Sequence, residues 1–179
     1  MTNLTQKEIN EICNEIEMQW EYHLMTRAVF HSKISESDDY SSPSFYSSRG
    51  FDIQVKLPNK KSESFQRAAK GIGSWLNQNY VIRLYGILDS KQIMKIGKED
   101  SDIIKLINIL RMNIGAHSTG RKVSKKDDLD KATRLINNLF NLVLSVDVIK
   151  SYVLSVDSVL EPMKNKTMEY VKSLEIHAV

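Results

Sequence analysis

The chain has 179 residues, 41% of them apolar, with 25 Lys and Arg against 22 Asp and Glu. That is one domain's length with enough apolar side chains for a core, which excludes a mainly disordered chain. Seven Gly and three Pro leave too little turn chemistry for an all-β sandwich or a doubly wound sheet, so the expectation moves to α-helix, while a net charge of +3 permits a polyanionic partner without requiring one.

Thr5 and Glu8 form a capping-box pattern that should open a first helix over 5–33, with Ile9, Ile12, Cys13, Ile16, Trp20 and Leu24 on its apolar face. A Ser-rich loop follows from Ser35, and Phe51, Ile53, Val55 and Leu57 alternate with polar residues as one short strand or extended segment within 34–61. From Ser62 the pattern is helical again, with Phe65, Ala69, Ile72, Leu76, Tyr85 and Leu88 on one side and a break or close helix approach expected near Gly71 and Gly73. Lys98 to Asp102 supply acidic and capping groups ahead of a helix carrying Ile103, Leu106, Ile107, Leu110 and Ile114.

After Gly120 comes a basic turn, then Ser124 and Asp127 as caps for a long helix that buries Leu129, Ala132, Ile136, Leu139, Phe140 and Val143 and extends towards Leu154. Leu144-Ser145-Val146-Asp147 recurs as Leu154-Ser155-Val156-Asp157, an echo too short to be a repeat architecture. Pro162 suits the first turn of a last helix over 160–177, with Met163, Tyr170, Val171 and Leu174 on its apolar side. The expectation is a single all-α domain over 1–179, a bundle of four to five helices with a Ser-rich loop insertion after the first and a core over 62–150.

Most chemistries find no support. The lone Cys13 sits on an apolar helix face and reads as a core residue. The four histidines are far apart in sequence and no CxxC or HExxH occurs, so neither a metal site nor a cofactor is expected. Asp38-Asp39 and Asp127-Asp128 read as solvated or capping pairs, and Gly71-Ile72-Gly73 lacks the strand and third glycine of a dinucleotide loop. With no apolar run of membrane-spanning length and a polar start, the chain is expected to be cytoplasmic, with no membrane partner.

One constellation remains, Arg111-Met112-Asn113-Ile114-Gly115-Ala116-His117-Ser118. Asn113 and His117 lie one helical turn apart, near the apolar stripe, so they either satisfy each other in the core or line a cleft. Arg111 falls about 240° from His117 in an ideal helix and reaches it through its length or through a distortion at Gly115. On spacing alone a helix-end histidine and a surface Arg salt bridge are the better fit.

An Arg, five intervening residues and a His, late in an apolar helix of a small all-α chain and followed by a polar, Gly-containing turn, resembles the HEPN family (higher eukaryotes and prokaryotes nucleotide-binding). The resemblance covers about 62–150, including the aromatic-rich 75–88 and the helix after Lys126. It implies a metal-independent endoribonuclease, often a toxin or phage-defence effector, acting as a homodimer with a composite cleft. His117 would be general acid or base, Arg111 would hold the scissile phosphate, and Asn113 would orient one or the other. Ser118, Arg121, Lys122, Lys125 and Lys126 would contact the RNA, and an antitoxin or other regulatory protein is a further possible partner. Met112 stands where a polar residue often follows the Arg, and Thr119 stands where the subfamily modified by a nucleotidyltransferase has Tyr, so that regulation is not implied. Because the family includes inactive members, a non-catalytic interaction or nucleotide-binding module is the alternative, with a DNA-binding helical regulator third.

Overall fold

The computed structural model describes residues 4–35, 40–41, 45–46, 52–53, 56–57, 63–111 and 126–174. The architecture is all-α, with α1 (Gln6–Ser35) and α2 (Glu63–Ser90) as its two long members. α1 starts at the expected capping box: the Glu8 carboxylate accepts from the Thr5 backbone N–H at 2.8 Å and the Glu8 N–H donates to Thr5 Oγ1 at 3.3 Å. Its buried face is Ile9, Ile12, Cys13, Ile16 and Trp20.

Leu24, expected on that face, is exposed. The buried stripe passes instead through His23, 6% exposed, and Arg27, which bonds to Asn77 on α2, and Leu24 stands at its edge; α7 (Glu161–Ser173) packs along the same helix. Ile72 is likewise exposed near the start of α2, while Leu76, Tyr80, Val81, Leu84 and Leu88 enter the core. Among the described residues Gly71 and Gly73 produce neither a break nor a close approach, since α2 is continuous and no described atom stands within 4 Å of a Cβ built on either.

Among the described residues there are seven α-helices rather than four or five. The first unexpected one is α3 (Ile93–Asp100), entered through Gln92 at φ 59. Lys98, Glu99 and Asp100 therefore close α3 instead of preceding the next helix, and Ser101, in an extended conformation, ends one and begins the other. α4 (Asp102–Ile109) is the most enclosed element, burying Ile103, Ile104, Leu106, Ile107 and Ile109. Its chain continues as a π-helical turn at Leu110 and Arg111.

α5 (Lys126–Phe140) buries Leu129, Ala132 and Ile136 as expected but stops at Phe140. Asn141 is left-handed, φ 53, and the Leu142 N–H donates to the Asn137 carbonyl at 3.0 Å, the six-to-one bond of a Schellman ending. Val143, expected on the buried face, is 99% exposed because the helix ends three residues earlier. The chain to Leu154 holds a separate short helix, α6 (Val146–Lys150), and after it a π-helical turn, Val156–Leu160, leads into α7 with Pro162 in its first turn.

α6 ends in a second Schellman motif, with Tyr152 N–H on the Ile149 carbonyl at 3.1 Å and Val153 N–H on the Val148 carbonyl at 3.3 Å. Here the left-handed residue is Tyr152, φ 56. Between α1 and α2 the described extended segments are two-residue antiparallel pairs, β1 (Tyr40–Ser41) with β4 (Lys56–Leu57) and β2 (Phe45–Tyr46) with β3 (Asp52–Ile53). The expected alternating run thus contributes Ile53 and Leu57 to two different ladders. One buried cluster connects α1, α2, α3, α4, α5, α6 and α7. Among the described residues no helix is long and apolar enough to cross a membrane.

Candidate functional site

Arg111 stands where α4 leaves the core. Leu110, immediately before it, is fully buried and its carbonyl accepts from Tyr152 Oη at 3.1 Å. The guanidinium carbon of Arg111 lies 4.5 Å from the centre of the Tyr85 ring on α2, a cation–π stack. A half-buried Arg is therefore fixed at its backbone by one tyrosine and supported at its head by another.

Tyr152 is itself held. Asn77, 2% exposed on α2, donates from Nδ2 to the carbonyls of Tyr152 and Leu154, each at 3.0 Å, and its Oδ1 accepts from Arg27 Nη1 at 2.9 Å. The chain Arg27–Asn77–Tyr152–Leu110 links α1, α2, the end of α6 and the end of α4. The tyrosine is buried, and desolvation pushes its hydroxyl's pKa far upward, so it is a permanent donor.

Of the residues expected at the site, the described ones are Arg111 and Lys126; Lys126 is exposed and opens α5. Asn113, His117, Ser118, Arg121, Lys122 and Lys125, together with the capping Ser124, lie outside the described residues. Asp127 and Asp128 occupy the first turn of α5, the position in which carboxylates favour a helix dipole. Cys13 is a buried free thiol whose pKa is raised chiefly by desolvation, the state of a core residue.

A second concentration of polar chemistry went unnoticed in the sequence. His23 is 6% exposed, its ring 5.6 Å from Trp20 and 5.1 Å from Tyr80. Burial lowers its pKa to about 4, with the Arg27 charge adding to the shift and the Leu76 backbone opposing it, so the imidazole is neutral at pH 7. His23 Nε2 and Tyr80 Oη are buried without a hydrogen-bond partner among the described residues, a condition that costs on the order of 1–3 kcal/mol per group. Both side chains line a groove of about 470 Å³ between α1 and α2. Close by, the Lys164 ammonium on α7 pairs with both Glu17 oxygens, at 2.9 and 2.8 Å, and lies 5.7 Å from the Trp20 ring.

The available signal was positional: His23 falls three residues after Trp20 and seven after Ile16, on the buried stripe of α1, and Asn77 is flanked by the core residues Leu76, Tyr80 and Val81. Comparison with protein-family models, with curated proteins and with solved structures finds no match in any of the three.

Proposed function

We propose that the chain is an endoribonuclease of the HEPN type, in which Arg111 binds the scissile phosphate and His117 transfers the proton. The observation that carries the reading is the setting of Arg111. An always-charged fork suited to a phosphate is braced by Tyr152 and Tyr85 at the partly exposed end of an otherwise buried helix. The sequence puts His117 six residues beyond it. The all-α architecture of the described residues is the class that the resemblance implies.

In the reaction, a ribose 2′-oxygen attacks the adjacent phosphorus and loses its proton to an imidazole acting as base. The bond from phosphorus to the 5′-oxygen breaks, that oxygen gains a proton, and a 2′,3′-cyclic phosphate and a 5′-hydroxyl remain. A histidine with its usual pKa near 6.5 can take or give that proton at neutral pH. Arg111 would stabilise the charge gathering on the non-bridging oxygens. Asn113 would orient the imidazole or phosphate, and Ser118, Arg121, Lys122, Lys125 and Lys126 would contact the RNA backbone. Two copies of so sparse a site across a two-fold axis make a fuller one, which favours a homodimer.

The test is purified protein incubated with end-labelled single-stranded and structured RNA in EDTA, beside His117→Ala and Arg111→Ala. Cleavage by the parent chain alone, with cyclic-phosphate ends and a loss of at least about 100-fold in either variant, is expected. Undiminished cleavage by folded His117→Ala would refute the assignment.

A further inference from the structure

α1 and α2 each carry a second apolar stripe, on the side away from the core. On α1 it is Met18, Tyr22, Met25 and Val29, and on α2 it is Ile72, Trp75 and Ile82, with Asn79 among them. The spacings, four-three-four and three-four-three, are those of the a and d positions of packed helices. At about 100° per residue, each stripe is centred about 150–160° around its helix from the buried face. All seven apolar residues are 36–65% exposed. The two stripes form one face. The helices run antiparallel, with Trp20 against Tyr80 and Arg27 bonded to Asn77, and Tyr22, Trp75, Asn79 and Arg83 line a single groove between them. That register puts Met18 at the height of Ile82, Tyr22 of Asn79, Met25 of Trp75 and Val29 of Ile72, in layers about one turn apart.

Apolar residues scattered singly over a surface are ordinary, but this face is continuous. Its seven apolar residues leave on the order of 700 Å² in water, more than the roughly 300–600 Å² of the largest patch on a typical monomer and close to the roughly 800 Å² that each partner brings to a stable complex. Charge indicates which partner. Glu15 stands three residues before Met18 beside the stripe on α1, and Arg83 stands at nearly the same height beside the stripe on α2. Both are exposed, and neither has an ion pair among the described residues. The face is therefore complementary to itself once one copy is turned over. We propose that it is the contact between two copies of this chain, related by a two-fold axis that runs along and between α1 and α2, so that α1 of each copy lies on α2 of the other. Equal heights then meet: Met25 packs on the partner's Trp75, Tyr22 on the partner's Asn79, and Glu15 reaches the partner's Arg83 on both sides of the axis. A polar Asn within such a seam fixes the register of the pairing. Tyr85, which carries the Arg111 head, is about 100° around α2 from the stripe, on the flank away from α1. This contact thus keeps the two Arg111 side chains apart. It is distinct from the composite cleft of the endoribonuclease reading and does not rest on that reading.

The experiment is sedimentation velocity of the full chain over about 1–100 µM, where a contact of this size should hold copies together with a Kd in the low micromolar range or below. Met25→Glu and Trp75→Glu, which put a charge into the seam, should each halve the mass at about 10 µM, from dimer to monomer, or from tetramer to dimer where Arg111 also joins copies. Glu15→Arg and Arg83→Glu should each weaken association about tenfold, since each sets like charges together twice per pair of copies. The two combined should return it to within about threefold of the parent. All four substitutions replace exposed side chains, so the variants keep the fold, which circular dichroism checks. A parent chain that stays monomeric at about 100 µM would overturn the proposal and leave the face to a different protein. An oligomer whose mass both folded seam variants leave unchanged would also overturn it, by placing the contact elsewhere. A double charge variant that associates no better than the single ones would overturn the two-fold that sets α1 on α2.

Discussion

Asn77→Leu tests whether the polar chain behind Arg111 is a stabilising element of the fold. Leu matches Asn in branching and heavy-atom count and keeps the helix but is the bulkier side chain, so the substitution removes the hydrogen bonds and adds some crowding. Two carbonyls, of Tyr152 and Leu154, lose their donor, and Arg27 loses an acceptor. Each buried group left unpaired costs on the order of 1–3 kcal/mol, and the better burial of Leu over Asn returns about 1–2 kcal/mol. The net loss should be about 2–4 kcal/mol, which for a chain of this size lowers Tm by roughly 5–15 °C. Urea unfolding followed by circular dichroism measures it. Asn77→Asp keeps an oxygen for Arg27 but loses both donated bonds, so it should also be destabilised, whereas Tyr152→Phe, which removes the one bond to Leu110, should cost about 1 kcal/mol. If Asn77→Leu lies within about 0.5 kcal/mol of the parent, the two carbonyls are satisfied some other way and the bracing argument fails.

The glycines should respond in opposite directions. A Cβ on Gly97 would stand 2.7 Å from Tyr170 Oη and 2.8 Å from Ile104 Cγ1, and because Ile104 is fully buried, Gly97→Ala should lose about 1–2 kcal/mol after its gain in helix propensity. Gly71→Ala and Gly73→Ala meet nothing within 4 Å among the described residues and should each gain about 0.5–1 kcal/mol in chemical denaturation; a loss at either would show a close approach there after all. His23 makes stability pH-dependent. Its folded pKa, about 4, is below the ordinary 6.5, so the unfolded chain takes up the proton first, and stability present above pH 6.5 is lost as pH falls towards 4. The loss is on the order of 3 kcal/mol. Arg27 on its own helix and Arg83 on α2 are the cations near it, and Glu17 is the carboxylate near its neighbour Tyr80. The difference in unfolding free energy between the parent and His23→Gln should therefore slope between pH 6.5 and 4 and be flat above 7, and a flat difference throughout would show that His23 titrates normally.

How much of this was legible in the sequence depended on whether the signal was periodic. The buried faces of α1, α4, α5 and α7 follow from spacing because an amphipathic helix writes its orientation into every third or fourth residue. The punctuation between helices does not. Gly71, Gly73 and Gly86 lie inside α2, where the usual meaning of glycine as a stop is misleading. The left-handed positions that mark real boundaries are instead Gln92, Asn141 and Tyr152. The echo Leu-Ser-Val-Asp, too short to be a repeat architecture, marks two successive helix starts. Ser145 is the N-cap of α6 and Ser155 that of the π-helical turn, where its hydroxyl accepts from Ser158 N–H, and each has an Asp in the following turn. Arg111 was found through a pattern, but Asn77 and His23 were not, since a polar residue at an apolar position reads the same whether it is paired, orphaned or misassigned.

Tyr152 shows why such a boundary lies beyond local rules. A bulky side chain at positive φ costs about 1–2 kcal/mol, and in isolation Gly or Asn would be preferred there. The ring, 1% exposed, offsets this with about 2–3 kcal/mol of burial. Its hydroxyl adds the bond to Leu110, 42 residues earlier in the chain, and its carbonyl takes one from Asn77, 75 residues earlier. The residue suits its position only once α2, α4 and α6 are assembled. Selection of Tyr at this turn is thus a tertiary event, and it fixes the end of α4 at the one point, next to Arg111, where the proposed chemistry needs the backbone held.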